Sequence, residues 1–170
     1  MIEDLTGYRW LSRADPFGCD VGNINGSQCW GVVDLSTTDL FGFRAMQGGV
    51  DGFTVTRPLH AVTPTKILAS ETLATDAAAF VVGADFELPA DQRRLLGLVE
   101  RDTTAEAAVR EQIAWLVLRI EGRHVQPDSA DVSLYFDLWS AIRDGRGGDV
   151  EAAWTVTIAT LLTDPTVLFY

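Results

Sequence analysis

Apolar and polar residues follow different patterns in the two parts of this chain. From Pro64 onward, apolar residues recur every three to four positions, in segments bounded by glycine, proline and capping residues. That period predicts amphipathic helices. The residues before Pro64 hold nine of the fifteen glycines and both cysteines, with little helical periodicity. The pattern predicts a mainly α protein of one domain, residues 1–170, with a loop-rich layer over 1–63 and a bundle of about five helices over 64–170.

The first predicted helix begins at Pro64 and runs to about Val82. Thr63 supplies a capping hydroxyl, and proline at the first helical position loses no needed N–H. Gly83 is predicted to end this helix. Its buried face is predicted to consist of small and apolar residues: Ile67, Ser70, Ala74, Ala77, Ala78 and Val81. Leu88-Pro89 predicts the start of a short second helix that carries Leu95, Leu96 and Val99.

Three further helices are predicted after residue 100. Thr103 to Glu106 fits a capping box, and the helix that follows is predicted to bury Val109, Ile113, Leu116, Val117 and Ile120 before it stops at Gly122. Ser129 is predicted to cap a helix with Val132, Tyr135, Phe136, Trp139 and Ile142 inward. Asp149 is predicted to cap the last helix, which holds Trp154, Ile158, Leu161 and Leu162. Trp115, Trp139 and Trp154 fall on or near these apolar faces, which favours a core role over ligand stacking.

The chain is strongly acidic, with a formal net charge of −11 and 170 residues. Such a surface repels phosphate backbones and anionic lipid, so no nucleic-acid partner is expected. No apolar run approaches the roughly 20 residues needed to span a bilayer, and no signal peptide is visible. The chain is therefore expected to be cytosolic, or a mature or excised piece of an exported protein. The acidity indicates either plain solubility or a docking face for a basic protein partner.

The spacing of the two cysteines indicates the cellular compartment in which the protein is found. Cys19 and Cys29 bracket nine polar and turn-forming residues, a loop with little core of its own. A disulfide between them would stabilise the fold by roughly 2–3 kcal/mol on the chain-entropy model. This pairing predicts an oxidising compartment, periplasmic or extracellular, and two independent reduced thiols are the alternative.

The loops before Pro64 also contain candidate oxygen ligands. Asp20, Asn23 and Asn25 resemble the start of a calcium loop, but the register is wrong and no closing glutamate follows. With Asp51 in the glycine-rich stretch after Gly48, they form a candidate calcium or small-ligand loop. An ordinary Asn/Gly turn is the alternative. The cysteines and histidines lack the short spacing of structural zinc sites, so no metal centre is predicted.

The residue types and their spacing give little support for a catalytic site. Asp51, Arg57 and His60 form a candidate polar loop cluster. A hydrogen-bonded loop anchor is favoured over general acid–base work, which needs a pocket and a tuned pKa. No nucleophile elbow, phosphate-binding loop, dinucleotide loop or Cys-x-x-Cys-His haem motif is present. We therefore predict no catalytic residues and no cofactor bound by this chain alone, and the pattern favours a protein that is not an enzyme.

One family resemblance covers Gly48 to Tyr170. It rests on the order Gly48-Gly49-Val50-Asp51-Gly52, Val55-Thr56, Thr63-Pro64-Thr65, Ala78 to Val82, Asp85-Phe86 with Leu88-Pro89, and Leu161 to Pro165 before Phe169-Tyr170. This order resembles the helical C-terminal regions of exported proteins of the planctomycete-cytochrome type. The resemblance implies export, helical structure and association with c-type haem proteins. Because the haem motif has no counterpart here, haem would belong to a partner.

Three functions follow as hypotheses. The first is a non-catalytic, extracytoplasmic accessory or scaffold module that associates with a cytochrome-containing, electron-transfer partner. The second is a module that binds calcium or a small polar ligand through the loops from Cys19 to Gly52. The third is a fragment of an enzyme whose active site needs another domain.

Overall fold

A computed structural model describes residues 2–8 and 63–164 of the chain. Of these residues 70% are helical and none lies in a β-strand. The prediction of a mainly α protein is therefore confirmed for the part of the chain described. The α-helices are α1 (Ile2–Thr6), α2 (Pro64–Phe86), α3 (Glu106–Glu121), α4 (Ala130–Gly145) and α5 (Val150–Leu162), with a 3₁₀ turn at Ala90–Gln92.

The chain divides into two compact units. One combines Met1–Tyr8 with Glu71–Tyr170, and the other is Arg9–Ser70. Helix α2 begins in the second unit and continues into the first. The predicted disulfide-closed loop layer falls largely on residues 9–62, which lie outside the described residues.

Helix α1 was not predicted from the sequence. It is one short turn, and the buried hydroxyl of Thr6 closes it by donating to the Ile2 carbonyl at 2.7 Å and accepting from the Tyr8 N–H at 3.1 Å. The buried Tyr8 ring then packs 5.6 Å from the ring of Phe80 on α2. The aromatic contact joins the segment after α1 to the C-terminal half of α2.

Helix α2 begins as predicted but ends later. The Thr63 hydroxyl accepts the Lys66 N–H at 3.1 Å, which confirms the cap. The predicted stop at Gly83 is wrong, because Gly83 has a helical backbone and the helix continues to Phe86. The predicted inward position of Ile67 is also wrong, since its side chain is 41% exposed and burial along α2 begins at Ala69. The rest of the predicted face is buried: Ser70, Ala74, Ala77, Ala78 and Val81.

The predicted helix after Pro89 is wrong. Only the 3₁₀ turn Ala90–Gln92 forms there. The three apolar residues assigned to that helix are nevertheless buried, in an irregular segment: Leu95, Leu96 and Val99. Since a buried irregular backbone still needs hydrogen-bond partners, side chains from elsewhere must supply them.

Helix α3 confirms the predicted apolar stripe and its stop. Every predicted stripe residue is buried: Val109, Ile113, Leu116, Val117 and Ile120. Gly122 adopts the left-handed conformation, with φ of 69°, and its N–H bonds to the Leu118 carbonyl. The predicted capping box is wrong, because the N-cap is Ala105, with no side-chain bond. The Thr103 hydroxyl instead accepts the Glu100 N–H at 2.9 Å, a local competition typical of threonine.

Helices α4 and α5 form the most closely packed pair. The predicted caps are confirmed: the Ser129 hydroxyl accepts the Val132 N–H, and the Asp149 carboxylate accepts the Ala152 N–H at 2.9 Å. Trp139 on α4 and Trp154 on α5 are fully buried, with ring centroids 5.6 Å apart. Their core role is confirmed. Val132, Ile158, Leu161 and Leu162 are buried as predicted, whereas Tyr135, Phe136, Ile142 and Trp115 are half-buried.

Candidate functional site

The residues that the sequence singled out as candidate sites all lie outside the described part of the chain. They belong to residues 9–62 and comprise the disulfide pair, the calcium or small-ligand loop and the polar loop cluster: Cys19, Cys29, Asp20, Asn23, Asn25, Asp51, Arg57 and His60. Their predicted roles stay predictions. Among the described residues, no group of three or more His, Cys, Asp or Glu side chains is arranged to hold a metal ion.

A charged cluster at the α3–α4 connection was missed by sequence reasoning. The left-handed backbone of Gly122 reverses the chain after α3 and brings Arg123 back towards the carboxylate of Glu121. Arg123 Nη2 lies 2.6 Å from Glu121 Oε2, and Arg123 Nη1 lies 2.8 Å from Asp131 Oδ2. The Glu121 side chain is only 1% exposed. One guanidinium therefore binds two carboxylates, one buried and one at the surface.

Tyr135 on α4 completes this cluster. Its hydroxyl donates to Glu121 Oε1 at 3.3 Å. Burial raises the pKa of Tyr135 to about 12, and the negative charges of Glu121 and Asp164 act in the same direction. The hydrogen bonds from Arg123 to Asp131 and Glu121 raise the pKa of the guanidinium still further above its ordinary value. Arg123 thus binds two carboxylates, and the charge of a third, Asp164, acts on Tyr135.

A groove opens beside the cluster. It has a volume of about 330 Å³ and is lined by Arg123, Asp131, Leu134, Tyr135, Leu138 and Thr160. Leu134 is 71% exposed, the most exposed of the large apolar side chains described. Four of the lining residues belong to α4, at spacings of three and four positions, so one face of that helix forms most of the wall. The groove thus combines an apolar helix face with the Arg123–Asp131 ion pair at its rim.

A second polar centre holds the irregular segment between α2 and α3. The buried carboxylate of Asp85 accepts the backbone N–H groups of Arg94, Leu95 and Leu96 at 2.8–2.9 Å. Buried Gln112 on α3 accepts the Leu98 N–H at 2.9 Å and donates to the Leu95 carbonyl at 2.8 Å. All these groups are satisfied within the fold, so this centre is structural.

Arg93 supplies the matching donors for the same segment. Its side chain, itself largely buried, donates to the carbonyls of Leu88 at 2.8 Å and Val99 at 2.6 Å. It also forms an ion pair with Glu100 at 2.6 Å. Because Asp85 binds the N–H groups of the segment and Arg93 binds its carbonyls, the segment needs no secondary structure to bury its leucines.

An aromatic and cationic stack lies along α4. The Phe136 and Trp139 rings stack at 6.2 Å. The guanidinium of Arg110 lies 4.6 Å from the Phe136 ring centre, and that of Arg143 lies 5.0 Å from the Trp139 ring centre. These are cation–π contacts, one to each ring of the pair. The indole N–H groups of Trp139 and Trp154 are buried and find no acceptor among the described residues.

Helix α2 is long and apolar enough to cross a bilayer. An 18-residue window of it has a mean hydropathy of 1.4, and 39% of that window is buried within the fold. A core helix of a water-soluble protein meets the same criteria. The feature is therefore weak evidence for a span, and the expectation that the chain has none stays a prediction.

The chain was compared with protein-family models, with curated proteins and with solved structures, and none of the three comparisons finds a match.

Proposed function

We propose that this chain is a non-catalytic, extracytoplasmic accessory module that docks onto a partner containing a c-type cytochrome. The observation that carries the docking part is the groove along α4, where the exposed Leu134 lies beside the Arg123–Asp131 ion pair. An apolar centre bordered by polar groups is the arrangement found at protein–protein interfaces.

The choice of a cytochrome partner is supported by the sequence. The motif order from Gly48 to Tyr170 resembles exported proteins that act with c-type haem. The net charge of −11 favours a partner with a basic face, because opposite charges accelerate encounter and select the orientation of docking. Any redox step would take place on the haem of the partner.

The extracytoplasmic location is supported by the spacing of Cys19 and Cys29. Its test is the mass of the intact chain after alkylation, with and without prior reduction, using protein made in an oxidising compartment. A disulfide leaves both cysteines unmodified until the protein is reduced. Alkylation of both without reduction would contradict this part of the proposal.

The docking proposal is tested by binding to a purified basic c-type cytochrome. Isothermal titration at several salt concentrations is expected to give an affinity that falls as the salt rises, since the screening length shortens from about 10 Å at 0.1 M to about 3 Å at 1 M. An acidic c-type cytochrome is the matched control and should not bind. Binding that is independent of salt, or equal for both cytochromes, would contradict the proposal.

Calcium binding is the second candidate function, supported by the oxygen ligands of Asp20, Asn23, Asn25 and Asp51. A ligand that binds the folded state raises the melting temperature. Calcium at millimolar concentration should therefore raise the melting temperature relative to protein in EDTA, and magnesium should raise it less. Identical melting curves would remove this candidate.

A further inference from the structure

The segment Ile2–Tyr8 is far in sequence from the residues that it contacts. It belongs to the same compact unit as Glu71–Tyr170, whereas Arg9–Ser70 form a different compact unit. Two hydrogen bonds of the segment join residues that are 68 and 90 positions apart in the chain. Because the contacts would be identical, a second copy of the chain can supply the same short segment, as in domain swapping.

Tyr8 is the anchor of the segment. It is only 5% exposed, and its ring lies 5.6 Å from the ring of Phe80 on α2. Its hydroxyl donates to the Asp76 carboxylate on the same helix, at 3.4 Å. Phe80 remains 43% exposed in spite of this contact, and Asp76 is exposed. The α2 side of the contact therefore lies at the surface, where a segment from another molecule can reach it.

Gly7 and Arg94 form the second part of the contact. Gly7 has a φ of 73°, and its N–H bonds to the Glu3 carbonyl at 2.7 Å, which ends α1. A Cβ at Gly7 would lie 3.0 Å from Arg94 Nε, closer than ordinary van der Waals contact. The Arg94 guanidinium also donates to the Asp4 carbonyl at 3.5 Å. The site therefore fits one acidic helical turn that ends in Gly-Tyr.

The segment carries its own local structure. The Thr6 hydroxyl donates to the Ile2 carbonyl at 2.7 Å and accepts the Tyr8 N–H at 3.1 Å, and all three residues belong to the segment. The hydrogen bonds from Tyr8 to Asp76 and from Arg94 to the segment are longer, at 3.4 and 3.5 Å. Since long hydrogen bonds are weak, the segment is held mainly by the burial of Tyr8, while its internal bonds move with it when it leaves.

We infer that the surface formed by Asp76, Phe80 and Arg94 binds the segment Ile2–Tyr8 of a second copy of this chain, in exchange for the chain's own segment. The segment of the same chain competes at a fixed effective concentration, whereas that of a second copy competes at the concentration of the protein. The exchanged form is therefore a dimer that concentration favours. This inference does not depend on the proposed cytochrome partner.

Two variants of the whole chain test the inference by complementation. Tyr8→Ala removes the anchor of the segment and leaves the surface intact. Phe80→Ala alters the surface and leaves the segment intact. In a mixture of the two, the Phe80→Ala chain can supply its segment to the surface of the Tyr8→Ala chain. The control mixture is Tyr8→Ala with the double variant Tyr8→Ala/Phe80→Ala, which contains no intact segment.

Native mass spectrometry separates the species, because the variants differ in mass. The heterodimer is expected to be at least about tenfold more abundant in the test mixture than in the control mixture, since truncation of a buried tyrosine anchor weakens an interface by about that factor or more. The unaltered chain should form less dimer than the test mixture at the same concentration, because its own segment competes for the surface.

Circular dichroism during heating checks that each variant folds. If Tyr8→Ala does not fold, Gly7→Ala replaces it, since a side chain at this left-handed position meets Arg94 and weakens the segment without removing its anchor. Equal amounts of heterodimer in the two mixtures, or none in either, would overturn the inference. Neither result bears on the cytochrome proposal, which concerns the groove along α4.

Discussion

Asp85 and Gln112 form hydrogen bonds with the backbone of the same residue: Asp85 with the N–H of Leu95, and Gln112 with its carbonyl. The Asp85 carboxylate accepts the Leu95 N–H at 2.8 Å, and the Gln112 amide donates to the Leu95 carbonyl at 2.8 Å. Asp85 is the penultimate residue of α2, and Gln112 lies in the first half of α3. Leu95 thus connects α2 and α3, because a side chain of each helix forms a hydrogen bond with its backbone.

Asp85→Asn is expected to lower the free energy of unfolding by about 3 kcal/mol. The amide keeps one acceptor but turns an NH₂ group towards buried N–H groups, and buried donors left without acceptors each cost about 1–3 kcal/mol. Urea unfolding followed by circular dichroism measures the change. Asp91→Asn is the control in the same segment, because Asp91 is exposed, and should change stability by less than about 0.5 kcal/mol. Equal effects would refute the structural role of Asp85.

Gln112→Met is expected to destabilise the chain by about 2 kcal/mol, because the Leu98 N–H and the Leu95 carbonyl lose their partners while the side-chain volume is kept. Chemical denaturation gives the size of the effect. Gln126→Met, at an exposed position before α4, is the control and should be nearly neutral. A neutral Gln112→Met would mean that water replaces the amide.

The same substitution at two glycines is expected to have opposite effects. Gly122→Ala places a side chain at φ of 69° and should destabilise by about 1 kcal/mol. Gly83→Ala fills a helical position with open space around it and should stabilise by about 0.5–1 kcal/mol. Thermal unfolding of the two variants provides the comparison. A shift of the same sign in both would contradict the backbone assignments.

The raised pKa of Tyr135 predicts a dependence of stability on alkaline pH. A tyrosine in the unfolded chain ionises near pH 10, whereas the pKa of Tyr135 in the fold is about 12. The folded state therefore holds this proton more tightly, and the resulting stability is complete below about pH 10 and is lost as pH rises towards 12. Tyr135→Phe should flatten the loss of stability in that window.

The difference in tyrosinate ultraviolet absorbance between the unaltered chain and Tyr135→Phe measures the same pKa. Glu121→Gln removes the buried negative charge and replaces the charged acceptor of the hydroxyl by a neutral amide oxygen, so it should lower the pKa of Tyr135, although burial keeps it above 10. Asp137→Asn serves as a control on α4, outside the hydrogen bonds of the cluster. An unchanged Tyr135 titration in Glu121→Gln would show that burial alone raises the pKa.

Local sequence signals predicted much of the helical part. The caps at Ser129 and Asp149 and the stop at Gly122 depend on interactions within four positions, and all three are confirmed. The predictions that failed did so because a second local structure competed for the same residue. Gly83 is compatible with a helix when the chain beyond it continues the helix, and Thr103 uses its hydroxyl for a turn and does not cap α3.

The polar centres could not be predicted from spacing. Asp85 acts on residues nine to eleven positions away, and Gln112 on residues fourteen and seventeen positions away. No periodic pattern reports contacts at those separations. The groove is similar, since its residues come from the α3–α4 connection, α4 and α5, and of these the sequence singled out only Tyr135, as an inward residue of the helix. The candidate sites that the sequence favoured lie outside the described residues.

The hydrogen bonds that Asp85 accepts from an irregular stretch of backbone affect how fast the amide protons of that stretch exchange with solvent deuterium. Amide protons in loops ordinarily exchange within seconds to minutes, whereas those released only by global opening are retained far longer. The amides of Leu95 and Leu96 belong to no helix, yet both are buried and donate to the carboxylate of Asp85. They should be among the slowest protons of the molecule to exchange, so a map of slow exchange would not coincide with its helices.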